Sequence, residues 1–147
     1  MRFAAAILLL LLGACSKETP MPLDIAQNKQ MIWDTIKAYH DASDKSDLDV
    51  IRSLLTPDVS MVMTPDDVIR GQESVLRALR DRFKAYKGTP NTITGKEMIK
   101  PDGNTALVTY VASTTTQRGT ITVNCSRNKD NKWLICHIHE TWSAPPK

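Results

Sequence analysis

Beyond its first fifteen residues the chain has no apolar run that could cross a bilayer, which takes about 20 residues. It has little excess of either charge. The 19 Lys and Arg against 16 Asp and Glu leave a formal +3, which argues against dedicated nucleic-acid binding. Internal repeats and low-complexity segments are absent, so solenoid architectures and long disordered tracts are excluded. No nucleophile elbow, phosphate-binding loop, dinucleotide fingerprint or complete metal motif is present. What remains is an apolar fraction of 41%, enough for a real core in a chain of single-domain length.

The first fifteen residues are distinctive. Arg2 supplies a positive charge, and Phe3 to Leu12 is unbroken apolar sequence. Leu12-Gly13-Ala14-Cys15 closes it on small residues. The run is too short for a membrane span and has the form of a signal peptide, residues 1–14. The closing tetrapeptide resembles the bacterial lipobox, which implies lipidation of Cys15 and a mature protein tethered to a membrane. Several acyl chains on one cysteine satisfy the two-signal requirement for stable anchoring. Ser16, not aspartate, follows the cysteine. In Gram-negative lipoproteins that resembles the pattern sent to the outer membrane, so the expected place is the cell envelope, facing the periplasm. A Gram-positive origin is the alternative. Residues 15–23 carry two prolines and no periodicity, and read as a tether before a domain at 24–147.

With Cys15 lipidated, Cys125 and Cys136 are left as an even pair in an oxidising compartment. A two-residue hairpin loop at Asp130-Asn131 would set them directly opposite each other, inside disulfide range. Two buried free thiols are the alternative.

Helical spacing of Ile25, Ile32, Ile36 and Tyr39 predicts a helix over about 24–43, with Asp24 and Gln27 as a capping box. Ser46 and Asp49 suggest a second box before a short helix that stops ahead of Pro57. A strand over 59–63, a loop at 65–67 and a third helix over 72–86 follow. From Asn91 the chain turns to threonine, valine and isoleucine, which predicts strands at 91–100, 104–116, 120–129 and 132–143. Pro101-Asp102-Gly103-Asn104 is a tight turn, and Gln117-Arg118-Gly119 suits a three-residue loop with a left-handed glycine. Helices first and an antiparallel meander after make an α+β fold.

Three local patterns carry a resemblance over about residues 24–143. They are Ser46-Asp47-Leu48-Asp49 with Leu54-Leu55 and Pro57-Asp58-Val59; Arg70-Gly71-Gln72-Glu73-Ser74; and Trp133 through His137 and His139 to Thr141. The chain resembles the NTF2-like superfamily, in particular its SnoaL-like branch and the association domain of calmodulin-dependent kinases. The resemblance implies three N-terminal helices packed on a curved antiparallel sheet, a cone-shaped pocket and dimers formed through the sheet. The kinase association domain's pocket arginines are not matched, since Ala112 and Asn124 hold those positions. Tyr39 and Asp41 give no clear match to the ketosteroid isomerase set.

The expected loop at Gln117–Gly119 sets Thr114 opposite Thr122 and Ala112 opposite Asn124. With the Asp130-Asn131 loop, one sheet face then holds Tyr110, Asn124, Trp133, His137 and His139, and the other holds Ile121, Val123, Cys125, Cys136 and Ile138. The mixed face is the expected ligand-binding wall. His137 and His139 are the candidate catalytic residues, as an acid/base pair near neutrality. Alternatively they are structural, bonding Asn124 and Thr122, or two metal ligands for which His40 or Glu97 would have to supply a third. No spacing supports that third ligand, so no metal and no cofactor are expected. The reverse assignment, with the mixed face exposed and the apolar face on the helices, stays open. Arg70, Arg77, Arg80, Arg82, Lys84 and Lys87 cluster about the third helix, as a solvated face or an attraction to anionic lipid. Two functions compete. One is a lipid-anchored module that binds a small, partly apolar ligand or a partner protein. The other is a SnoaL-like enzyme of proton-transfer chemistry. Expected partners are the membrane through Cys15, a small molecule and a second copy of the chain, with no nucleic acid.

Overall fold

The computed structural model describes residues 24–64, 67–85, 91–94 and 97–143. The leader, Cys15, the tether and residues 144–147 lie outside the described residues. Among the described residues no helix is long and apolar enough to cross a membrane.

The chain runs α1 (Ile25–Asp44), α2 (Leu48–Leu54), β1 (Leu55–Thr64), β2 (Asp67–Arg70), α3 (Gln72–Ala85), β3 (Thr92–Ile93), β4 (Met98–Asp102), β5 (Thr105–Ser113), β6 (Arg118–Arg127) and β7 (Trp133–Ser143). The strands make one sheet in the order β2-β1-β7-β6-β5-β3, with β4 beside β3 on the edge of β5. Only β1 and β7 are parallel neighbours. The α+β expectation therefore holds: three helices pack on a curved, mainly antiparallel sheet. Ile32, Ile36 and Tyr39 of α1 and Val75, Leu76 and Leu79 of α3 are buried at the helical period. They meet Val108, Tyr110, Ile121, Val123, Ile135 and Ile138 of the sheet's inner face. Each such large apolar side chain contributes about 1.5–3 kcal/mol when fully buried.

Local differences from the sequence reading have simple causes. Asp24 makes no side-chain cap bond. The cap of α2 is Asp47, not Ser46: its carboxylate accepts from Val50 N–H at 3.1 Å, while Ser46 takes a positive φ of 57°. The expected loop after β1 is followed at once by β2, which pairs with Ser60–Thr64. The expected strand 91–100 divides into β3 and β4.

Two corrections decide the faces. The β5–β6 loop is Thr114–Gln117. Thr114 N–H donates to Gln117 O at 2.8 Å, and Thr114 Oγ1 accepts from the N–H groups of Thr116 and Gln117. That hydroxyl turn outcompetes a glycine turn at Gly119, which lies inside β6. Tyr110 consequently pairs with Ile121, and Ala112 with Gly119. The shift is an odd number of residues, so it turns Tyr110 to the opposite face from Asn124. The second correction is a β-bulge in the β6–β7 ladder. Asn124 pairs with His137 but Cys125 pairs with Ile135, so Cys136 is the extra residue. Cys125 therefore packs in the core, and Cys136 is half-buried with its thiol donating to Asn124 O at 3.3 Å. The expected Cys125–Cys136 disulfide is absent and both thiols are free. Burial pushes the Cys125 thiol up to about 12.

Candidate functional site

The expected ligand wall is split between the two faces. Tyr110 and Trp133 are buried inside, whereas Asn124 and His139 are exposed and His137 is half-exposed on the outer face. The open reverse assignment is closer to the structure for the histidines. Tyr110 belongs to the polar interior described next.

Tyr110, Ile121 and Glu140 are cross-strand neighbours on the inner face, about 4.8 Å from strand to strand. α1 lays Tyr39 and His40 over this row. His40 Nε2 and the Tyr110 hydroxyl are 2.6 Å apart, and the two rings meet edge to face at 5.2 Å. Both side chains are almost fully buried. Burial, opposed by the charges of Glu140, Asp44 and Asp41, lowers the pKa of His40, so the imidazole is neutral at pH 7. Burial likewise raises the Tyr110 phenol far above its usual value and keeps its proton on. With both groups neutral, either the phenol O–H donates to Nε2 and the imidazole's own proton sits on Nδ1, or Nε2–H donates to the phenol oxygen and Nδ1 carries a lone pair. Nδ1 is buried and has no hydrogen-bond partner among the described residues. A buried polar atom left unmet costs about 1–3 kcal/mol. Native proteins keep such a group for a reason.

Glu140 is the second feature that the sequence reading missed. Its carboxylate is 6% exposed, on a strand face otherwise built of Trp133, Ile135 and Ile138. A buried charge must be paired. Glu140 Oε2 accepts from Arg82 Nη1 of α3 at 2.6 Å and from Trp142 Nε1 at 2.7 Å. The Arg82 guanidinium also lies 5.8 Å from the Trp142 ring centre. Arg82, read from sequence as one of a basic cluster, is thus drawn into the core. Arg77, Arg80 and Lys84 stay exposed.

Trp33, one helical repeat before His40 on α1, stands edge to face with Tyr110 at 5.9 Å. Trp33 also walls a groove between α1 and β4, lined by Ala26, Lys29, Gln30, Trp33, Glu97 and Ile99, with a volume of about 330 Å³. That volume is in the range of small-molecule sites. Tyr110 therefore packs behind the Trp33 wall of an open groove, and His40, its bonded partner, holds no lining position in that groove.

On the outer face, one row runs Arg70, Ser60, His137, Asn124 and Leu107 across five strands. Ser60 Oγ and His137 Nδ1 are 2.8 Å apart, and the rings of His137 and His139 are 6.5 Å apart. Burial first, then His139 and Arg70, lowers the pKa of His137. Among the described residues no three His, Cys, Asp or Glu side chains gather where a metal could be held.

The depressed imidazoles have a pH consequence. In the unfolded chain a histidine takes up its proton near pH 6.5. His40 and His137 resist protonation while folded. Below about pH 6.5 the unfolded state therefore binds more protons, and stability falls as pH falls toward the folded-state pKa values. Above about pH 7 these groups contribute no slope. Urea midpoints measured from pH 8 to pH 5 should show a plateau and then a decline, at most about 1.4 kcal/mol per pH unit for each proton. His40→Gln should make that decline shallower. A wild-type curve that is flat from pH 8 to pH 5 contradicts the buried neutral histidine.

Helices packed on a curved sheet are also the fold of solved NTF2-like proteins. A candidate dehydratase of the NTF2-like family from Streptomyces avermitilis superposes with a TM-score of 0.70, at 20% identity over 78% of this chain and 95% of that one. A candidate ketosteroid isomerase from Shewanella frigidimarina gives 0.66, at 19% identity over 76% and 94%. An NTF2-like superfamily protein from Salmonella enterica serovar Typhimurium gives 0.71, at 20% identity over 84% and 95%. At these identities the likeness is one of fold. The family model for the SnoaL-like domain matches residues 32–145, and the chain belongs to that family. No curated protein matches it.

Proposed function

We propose that the protein is an envelope-anchored SnoaL-like domain that binds a small, partly apolar molecule at the α1–β4 groove. The observation that carries this reading is Tyr110 packed behind the Trp33 wall and bonded to His40, whose buried Nδ1 has no partner among the described residues; we assign the phenol O–H as the donor to Nε2, which puts the imidazole's proton on Nδ1. Trp33 and Ile99 offer the apolar surface, and Lys29, Gln30 and Glu97 the polar rim. A small-molecule site of this kind combines an apolar wall with a few orienting groups. Native mass spectrometry of protein extracted gently from its own membranes should show a small adduct that His40→Phe weakens. An adduct-free spectrum, with no thermal shift from a library of small carbonyl compounds, rejects the binding reading.

The 2.6 Å contact favours a second reading, proton-transfer catalysis. Nδ1–H would donate a hydrogen bond, keeping its proton, to an oxygen on which charge develops, while the Tyr110 O–H stays protonated and holds Nε2. His137 and His139 do not enter that chemistry, because the sheet separates them from the groove.

The membrane anchor rests on the Leu12–Cys15 pattern. Wild-type protein should fractionate with membranes, outer membrane first, and carry acyl mass on an N-terminal peptide starting at Cys15. Cys15→Ser should give unprocessed precursor or soluble protein. Unchanged fractionation, with no lipid on that peptide, contradicts the anchor.

The partner surface is the outer sheet face. The apolar sheet face first considered for it is the core. Val68 and Leu107, both exposed, lie on the outer face, and no helix covers it among the described residues. A second copy closing on this face should give a dimer mass by light scattering. Leu107→Glu should shift it to monomer, and a wild-type mass that stays monomeric at every concentration rules it out.

A further inference from the structure

Lys29 and Glu97 line one groove from its two sides, the first on α1 and the second at the start of β4. They carry opposite charges, yet they form no ion pair with each other or with any other described residue. Their neighbours behave differently. Asp34 binds both Lys37, at 2.8 Å, and the Gln30 amide, at 2.9 Å, so the local charge on that turn of α1 is spent. Among the described residues the rim therefore presents one ammonium and one carboxylate without an ion-pair partner, across a floor of Trp33 and Ile99. A ligand that carried only one charge would be repelled by one side of that rim. A neutral ligand would leave both charges unused.

We propose that the groove selects a small zwitterion with an apolar body, its carboxylate toward Lys29, its ammonium toward Glu97 and its apolar part on Trp33 and Ile99. Free amino acids with apolar side chains and short apolar peptides are the chemical class. This inference rests on the groove being a ligand site, and it adds what the ligand must carry.

The test uses the full chain in mild detergent and follows binding by calorimetry. The probes are L-phenylalanine and L-leucyl-L-phenylalanine as zwitterions, phenylacetate and phenethylamine as single-charge analogues, and acetophenone as a neutral one. The zwitterions should bind at least tenfold more tightly than phenylacetate, phenethylamine or acetophenone. Lys29→Glu and Glu97→Lys should each lose at least tenfold, and the double charge exchange should recover most of the loss. Both residues are exposed, so all three variants should fold. Acetophenone binding as tightly as the zwitterions, or zwitterion binding that ignores both charge reversals, overturns the inference and leaves the groove as a ligand site. If none of the five probes binds, the zwitterion inference falls. If the adduct and thermal-shift test is also negative, the groove reading falls with it.

Discussion

Glu140→Ala should cost about 3–5 kcal/mol of folding stability, the usual loss when one partner of a buried ion pair is removed. The change leaves Arg82 without the carboxylate that draws it into the core, and it takes the acceptor from Trp142 Nε1. For a domain of this size the melting temperature should fall by roughly 10–20 °C. The comparison that isolates the cause is a double variant. Glu140→Leu with Arg82→Met replaces the pair by apolar groups, and such replacements are often neutral or stabilising. The double variant should therefore be more stable than either single one, as a coupling energy in the cycle. If Glu140→Ala lowers the unfolding free energy extrapolated from urea by less than about 1 kcal/mol, the pair is not buried as described.

Gly119→Ala should cost about 1–3 kcal/mol, a large effect for one added methyl group. Gly119 faces Trp142 directly across the β6–β7 ladder. A Cβ built there would lie 2.7 Å from two atoms of the indole ring and 2.9 Å from Thr141 O. The backbone oxygen cannot move far, so the indole must. Moving the indole also strains its bond to Glu140. The effect should shrink when Trp142 is already alanine, and thermal melts of the four variants measure that coupling directly. Equal losses in both backgrounds would mean that the glycine is needed for some other reason.

Gly119 also marks where the sequence was misleading. A glycine between two strand-like runs usually reads as a turn residue, because it tolerates a positive φ. Here its job is close approach to a tryptophan 23 residues away, and the turn is made by the Thr114 hydroxyl. That single shift moved Tyr110 through the sheet relative to Asn124. The bulge at Cys136 did the same to Trp133 and broke the alignment of the two cysteines. Strand propensity made β5, β6 and β7 legible, while the expected strand 91–100 divides into β3 and β4. Propensity cannot reveal an extra residue in a ladder, which costs nothing locally. The helices were legible because Ile32, Ile36, Val75, Leu76 and Leu79 repeat at the helical period and are the residues buried.

The interior pair was harder. His40 occupies an inward position of α1 beside Tyr39, and a histidine there is legible as buried once the helix is phased. Its partner is 70 residues away on β5, and no local pattern announces such a contact. Glu140 left a clearer trace. It interrupts the apolar series Leu134, Cys136 and Ile138 that period-two alternation sets on one face, and a local rule broken there points to a site. The prominent His137 and His139 pattern drew attention to what is the outer face of the sheet, because it resembles the family's last strand, and family membership does not locate chemistry.

The central claim is that His40 is a neutral, buried imidazole, bonded through Nε2 to Tyr110, with an unspent proton on Nδ1. Long-range proton–nitrogen correlation spectra of the full chain with labelled histidine test it most directly. The account predicts a neutral His40 with a protonated Nδ1 that persists below pH 6.5, and a Nε2 resonance that shifts in Tyr110→Phe. An imidazole that titrates near pH 6.5 and ignores the loss of the Tyr110 hydroxyl would contradict it.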